Sequence, residues 1–209
     1  MRNVLVTGAS GALGGAVARA FEANGDRVIK ASHPAYDLTK PEDAARAVAG
    51  VEGGLAVVVH VVGAFAGGQP VAATDDATWR AMMSINLDAA FYVARAAVPR
   101  LTAEPGGRLI MIGSRNAVSP AANLAAYNAS KAGLVSLVQT LALEIAERGA
   151  TANVVLPSVI DTPANRGAMP KADASRWVKP DEIAALIVWL ASDAAQAVSG
   201  AAIPMYGRA

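Results

Sequence analysis

The sequence predicts an α/β fold: a doubly wound parallel sheet with helices on both faces, built as a single domain over residues 1–209. Three observations carry this. Short β-branched runs alternate with longer Ala/Leu-rich stretches from end to end, the pattern of successive βαβ units. The short runs are almost continuously apolar, as strands covered on both faces must be. The chain has 209 residues, 54% of them hydrophobic and 17% charged, so it is long and apolar enough to bury such a sheet and unlike a disordered chain.

The elements follow in order. Val4-Val6 reads as the first strand, and Leu13-Asn24 as a helix ended by Gly25. Arg27-Ala31 is a second strand, and Pro41-Ala49 a second helix whose Glu42 and Asp43 suit the positive end of its dipole. Leu55-Val62 is a third strand, followed by a long helical region over Asp75-Leu101. Arg108-Ile112 is a strand. Ala125-Arg148 is a helix stopped by Gly149, its Leu134, Leu137, Leu141 and Ile145 repeating at helical spacing. Asn153-Leu156, Asp181-Ala191 and Ala201-Pro204 complete the pattern as strand, helix and strand. The segment from Pro163 to Pro180 is the one long irregular connection and is expected to act as a substrate lid.

Composition excludes several classes. The net charge is +1 with no block of like charges, so no electropositive face for nucleic acid is expected. There are no cysteines, which removes disulfides, thiol catalysis and cysteine-ligated zinc, and no metal site is expected. The apolar run after Met1-Arg2-Asn3 is short and reads as a strand. No stretch reaches the roughly 18 apolar residues of a membrane span, so a cytoplasmic protein without a membrane partner is expected.

Thr7-Gly8-Ala9-Ser10-Gly11-Ala12-Leu13-Gly14 follows the first strand and opens the first helix. Glycines there permit a tight turn and let the backbone approach a pyrophosphate, which meets the free N–H groups of the helix end. This is the phosphate turn of a Rossmann-like fold. The second strand ends at Ala31-Ser32-His33 without the acidic residue that would hold the adenosine ribose hydroxyls. Ser32 can donate to a 2′-phosphate and His33 or Lys30 could add charge, so NADP is expected over NAD. Asp37 reads from its own position as a turn or capping residue.

Tyr127-Asn128-Ala129-Ser130-Lys131 lies at the start of a helix, where positions one turn apart share a face. A phenol works as an acid or base near neutral pH only if its pKa falls, which a neighbouring ammonium favours. Ser114, just past the strand Arg108-Ile112, can reach the same sheet edge and hydrogen-bond a carbonyl oxygen. Gly63 ends the third strand at that edge, and Asn86 sits in the long helical region.

In this order and spacing, the glycine turn, Asp37-Leu38, Gly63, Asn86, Ser114, Tyr127 with Lys131, and the loop Pro157-Ser158-Val159-Ile160-Asp161-Thr162 resemble the short-chain dehydrogenase/reductase family. The resemblance runs from Val4 to about Gly207. It implies a nicotinamide-dependent oxidoreductase acting on a small-molecule carbonyl or alcohol. It assigns Tyr127 as general acid/base and Lys131 as the residue that binds the nicotinamide ribose and lowers the Tyr127 pKa. Ser114 would orient the substrate carbonyl, and Asn86 would hold a water relaying protons to Lys131.

It also implies cofactor contacts. Gly8, Ser10, Gly11, Leu13 and Gly14 would lie at the phosphates and Ser32, His33, Asp37 and Leu38 at the adenosine. Val61 and Gly63 would follow the third strand, and Pro157, Ile160 and Thr162 would lie on the nicotinamide side. A homodimer or homotetramer through the long helices is implied as well.

Three positions depart from the family pattern: Ala12 stands for the middle glycine, His60 for an asparagine after the third strand, and Ser158 for a glycine after Pro157. The lid and the run Gly63-Ala64-Phe65-Ala66-Gly67-Gly68 also resemble dihydropteridine reductases, although those lack the serine and asparagine found here. A pterin is therefore an alternative substrate class, and a non-catalytic nucleotide-binding sensor or scaffold an alternative outside enzymes. Phe65, Arg115, Arg166, Met169 and Trp177 are candidates to line the pocket.

Overall fold

The computed structural model describes residues 1–208. Its strands are β1 (Asn3–Thr7), β2 (Arg27–Ala31), β3 (Val57–His60), β4 (Arg108–Ile112), β5 (Thr151–Pro157) and β6 (Ala202–Met205). They form one six-stranded sheet in the order β2-β1-β3-β4-β5-β6, and every pairing is parallel. The helices are α1 (Ala12–Ala23), α2 (Pro41–Ala49), α3 (Asp76–Met83), α4 (Ala89–Leu101), α5 (Ala125–Ile145), α6 (Pro163–Ala168) and α7 (Pro180–Leu190).

Alternation along the strands divides the core in two. Leu5, Val58, Leu109 and Val154 pack under α2, α4 and α5. Val4, Val6, Val57, Val59, Ile110 and Val155 pack under α1 and α7. Nearly all of these residues are fully buried, and transfer of about 25 cal/mol per Å² of apolar surface drives the layering. The strand order reverses between β1 and β3, so the carboxyl ends of these strands flank the crevice where such sheets bind ligands.

The predicted sheet and layers are found, with three local differences. The third strand pairs only over Val57–His60, because β1 ends opposite His60 and leaves Val61 and Val62 without a ladder partner. The long helical region breaks into α3, a π-helical turn over Ser84–Asp88, and α4. A π turn widens the helix locally, and Asn86 stands inside it.

The expected irregular lid contains α6, with Thr162 as N-cap and Pro163 in the first turn, a helix-start signal already present in the sequence. A bridge between Ile160 and Val178 and the burial of Trp177 tie the far end of this segment into the fold. Trp177 is therefore packing and not an open pocket wall.

Among the described residues, α5 with its following turn to Arg148 is the helix long and apolar enough, by length and composition, to cross a membrane. Its Leu134, Val138, Leu141 and Ile145 are buried in the core beneath the sheet, which accounts for the composition.

Candidate active site

The turn after β1 is shaped by backbone sterics. Gly8 takes a positive φ of 69°, and its N–H donates to the Ala31 carbonyl at 2.8 Å, tying the turn to β2. A Cβ on Gly14 would strike the Gly8 carbonyl oxygen, so only glycine lets α1 seat this closely. Gly11 leaves the mouth of the turn open, and exposed Ala12 accommodates its methyl there, so that departure does not obstruct the turn. Ala9, Ser10, Gly11, Ala12, Gly15 and Arg19 form one wall of an open groove, with Asp161, Pro163, Pro180 and Asp181 opposite. Leu13 does not face the groove: its side chain is buried among Val17, Val4 and Val6, which leaves only its backbone for a ligand.

On the β2 side, Ser32 Oγ accepts a hydrogen bond from the Ser10 N–H at 3.1 Å, placing that hydroxyl beside the turn, and His33 is exposed nearby. The other expected contacts are engaged elsewhere. Lys30 is paired with Glu22 at 2.8 Å. Asp37 Oδ1 accepts from the Thr39 N–H at 3.2 Å and hydroxyl at 2.6 Å, and these bonds hold its carboxyl below the usual range. Asp37 thus closes a local turn before α2. The Leu38 side chain is buried in the core.

At the end of β3, His60 is buried with its Nδ1 3.0 Å from Thr7 Oγ1, and Val61 N–H reaches the same hydroxyl at 3.3 Å. The imidazole Nε2 has no partner among the described residues. Burial first, and the charge of Lys131 second, lower the His60 pKa to about 3, so the ring is neutral. Three residues after His60, Gly63 is closely approached by two polar side chains. A Cβ there would lie 2.9 Å from Asn86 Oδ1 and 3.0 Å from Lys131 Nζ.

Tyr127 and Lys131 share a face of α5, with Lys131 fully buried. Lys131 Nζ donates to the Ile112 carbonyl at the end of β4 at 3.0 Å, and burial lowers its pKa to about 8. Burial raises the Tyr127 pKa, while a hydrogen bond from Ser114 pulls it the other way. Ser114 Oγ also accepts from the Asn116 N–H at 3.1 Å, so its own proton is left to donate toward the phenol and whatever binds there.

Asn86 is fully buried, and its amide is bonded to protein. Oδ1 accepts from the Ala64 N–H at 2.9 Å, and Nδ2 donates to the Ala64 carbonyl and to Ser130 Oγ, both at 3.1 Å. Ser130 in turn donates to the Tyr127 carbonyl at 2.8 Å. The sequence reading overlooked Ser130, Thr7 and Ala64 as partners. Ser130 precedes Lys131 directly, but its partner Asn86 is distant in the chain and only packing reveals the pair.

After β5, Pro157 lies at the strand end, Ile160 is half-buried in its bridge to Val178, and Thr162 Oγ1 accepts from the Asn165 N–H at 3.2 Å. Ser158 donates to the Tyr206 carbonyl at 2.7 Å, a structural use for that departure. Arg166 grips Asp161 through two bonds of 2.6 and 2.9 Å, fastening α6 to the loop before it.

Glycine turn, paired serine and tyrosine, and buried lysine at the carboxyl edge of a parallel sheet define a Rossmann-like oxidoreductase site. The comparisons agree. A family model described as enoyl-(acyl carrier protein) reductase matches residues 3–207. The chain is 33% identical to the 3-oxoacyl-[acyl-carrier-protein] reductase MabA of Mycobacterium tuberculosis, covering 99% of this chain and 92% of MabA. It is 30% identical to the D-beta-hydroxybutyrate dehydrogenase of Cupriavidus necator, covering 99% and 96% of the two chains.

A solved structure of a short chain dehydrogenase/reductase family oxidoreductase from Burkholderia thailandensis superposes with a TM-score of 0.87 at 32% identity, covering 99% of this chain and 91% of that one. The chain belongs to the short-chain dehydrogenase/reductase family of nicotinamide-dependent oxidoreductases.

Proposed function

We propose that this protein is an NADP-preferring carbonyl reductase or alcohol dehydrogenase in which Tyr127 exchanges a proton with the substrate oxygen. The observation that carries this is that the Tyr127 phenol meets Ser114 while Lys131, one turn on in α5, meets the end of β4 and Gly63, at the sheet edge that also bears the Gly8–Gly14 turn. The residues present fit a dinucleotide: Gly11 leaves the mouth of the turn unobstructed, and the groove beside it is open. Gly8, Ser10, Gly11 and the Leu13 backbone would hold the phosphates, and Pro157, Ile160 and Thr162 the nicotinamide side. When bound, the nicotinamide supplies or accepts the hydride.

The chain's own residues handle the proton. The Tyr127 phenol carries the proton that a carbonyl oxygen needs during reduction, and the Ser114 hydrogen bond works against the burial that raises its pKa. Ser114 donates to that oxygen and fixes its direction. Lys131, with a pKa near 8, remains largely protonated at neutral pH and has further N–H donors for a ribose hydroxyl. Because the Asn86 amide is bonded to Ala64 and Ser130, the backbone of its π turn is the place for a relay water. Ser114 beside Tyr127 favours a simple carbonyl over a pterin.

Preference for NADP rests on Ser32 at the turn and on an Asp37 carboxylate already held by Thr39. Exposed Phe91 on α4 and Leu143 on α5 support assembly as a homodimer or homotetramer through the long helices. Sedimentation velocity showing a monomer at micromolar concentration would remove the assembly. For the reaction, NADPH-dependent turnover of a panel of aldehydes and ketones is expected, and Tyr127→Phe should lower it about a thousandfold with NADPH affinity unchanged. Turnover that survives this substitution overturns the assignment.

A further inference from the structure

Phe65 is the large apolar residue in contact with the reacting group, and its side chain is 66% exposed. Its ring meets the Tyr127 ring edge-to-face, with centroids 5.0 Å apart and planes at 70°. A single exposed aromatic on a surface needs no explanation. This one is held in place from both sides. Immediately before it, Ala64 is gripped through its N–H and its carbonyl by the Asn86 amide at 2.9 and 3.1 Å.

Just after it, Gly67 packs on Leu124, and the Gly68 N–H donates to the Asn123 carbonyl at 2.7 Å. Leu124 and Asn123 immediately precede α5, the helix that carries Tyr127. The loop over residues 64–68 is therefore fixed to the π turn at one end and to the start of α5 at the other, so the backbone that carries Phe65 is tethered beside the phenol, which the ring meets edge-on. A mostly uncovered aromatic ring on a tethered loop beside a proton donor presents a ready apolar wall.

We infer that Phe65 is the specificity-determining residue of this site, and that the substrate carbonyl carries an aromatic group which packs on the Phe65 ring while its oxygen meets Tyr127 and Ser114. This rests on the reductase reading above and names the substrate class for it. A ring placed there gains aromatic contact in addition to the area it buries. A small aliphatic carbonyl reaches the same proton donor without covering the wall.

The test compares benzaldehyde with propanal in the wild type, Phe65→Ala and Phe65→Leu, with NADPH saturating. Phe65→Ala is expected to lower kcat/KM for benzaldehyde about tenfold, mainly through KM, and to change it less than twofold for propanal. Phe65→Leu, which keeps apolar bulk, should fall between. NADPH affinity measured by fluorescence should be unchanged in both variants, which separates recognition from loss of fold. Equal losses for both aldehydes, or no loss for either, overturn the inference.

A second arm needs no turnover: saturation-transfer NMR of benzyl alcohol on the NADPH-saturated protein, a pair with no hydride acceptor, should show ring contact that disappears in Phe65→Ala. A wild type that reduces neither aldehyde sinks the reductase reading, while this arm still decides Phe65. Benzyl alcohol contact that persists in Phe65→Ala refutes the role of the ring.

Discussion

The two ends of the cleft are built differently. Around α5, Lys131, Asn86 and Ser130 are buried, and their polar groups reach distant parts of the chain: Lys131 bonds to Ile112, and Asn86 to Ala64 and Ser130. After β2, His33 is exposed and Asp37 bonds to Thr39, two residues on. Buried polar groups are costly to leave unpaired, so a change in the first region propagates through its partners. A change at the rim affects mainly the ligand that touches it. On the proposed reading, packing sets the chemistry and a short exposed segment sets the cofactor preference.

Between the two regions, substituting Gly63 should have the largest effect. The Gly63→Ala methyl meets Asn86 Oδ1 at 2.9 Å and Lys131 Nζ at 3.0 Å, so both must shift. We expect kcat to fall about tenfold or more with a smaller change in NADPH affinity, because misplacement by a fraction of an ångström disturbs proton transfer more than binding. Steady-state kinetics beside direct titration of NADPH would read this out, and a pure affinity loss would contradict it.

At the rim, Ser32→Asp places a carboxylate beside the Ser10 N–H. It should shift the NADPH-to-NADH preference about tenfold toward NADH with little change in kcat. An unaltered cofactor ratio would show that Ser32 does not face the 2′-phosphate.

The smallest effect concerns stability and sharpens the contrast. His60 has a folded pKa of about 3 against 6.5 when unfolded, so the unfolded chain takes up a proton that the fold excludes. Stability from this group is complete above pH 6.5 and is lost as pH falls from there toward 3. His60→Asn removes that proton uptake, so its melting temperature should decline less than that of the wild type between pH 7 and pH 5. Lys131 acts in another window: its pKa falls from 10.5 to about 8, so stability should rise with pH between those values. Parallel melting curves for His60→Asn and wild type on the acid side would contradict the buried neutral imidazole.

Much of the fold was legible because doubly covered strands and amphipathic helices follow their periods closely. The break at Ser84–Asp88 was not legible, since a π turn leaves the apolar pattern on either side intact. Nor was α6 anticipated, although Thr162-Pro163 is a recognisable start, because so short a helix offers no periodicity to read. Ser114, Tyr127 and Lys131 were singled out by residue type, spacing and the family resemblance, and the structure places Ser114 against Tyr127 and buries Lys131 one turn on. Leu13, Leu38 and Asp37 were expected at the cofactor, yet two of their side chains pack in the core and the third closes a turn. A resemblance maps positions and cannot say which way a side chain points.

The order of strands and helices, the glycine turn, and the placing of Tyr127 and Lys131 on one helical face are all written in the chain, because they depend on local geometry. That Asn86 clamps Ala64, that Phe65 meets the phenol edge-on, and that Gly63 leaves room for two polar groups at once came from the folded packing. Those arrangements join segments distant in the chain, and their geometry follows from how the layers close on each other.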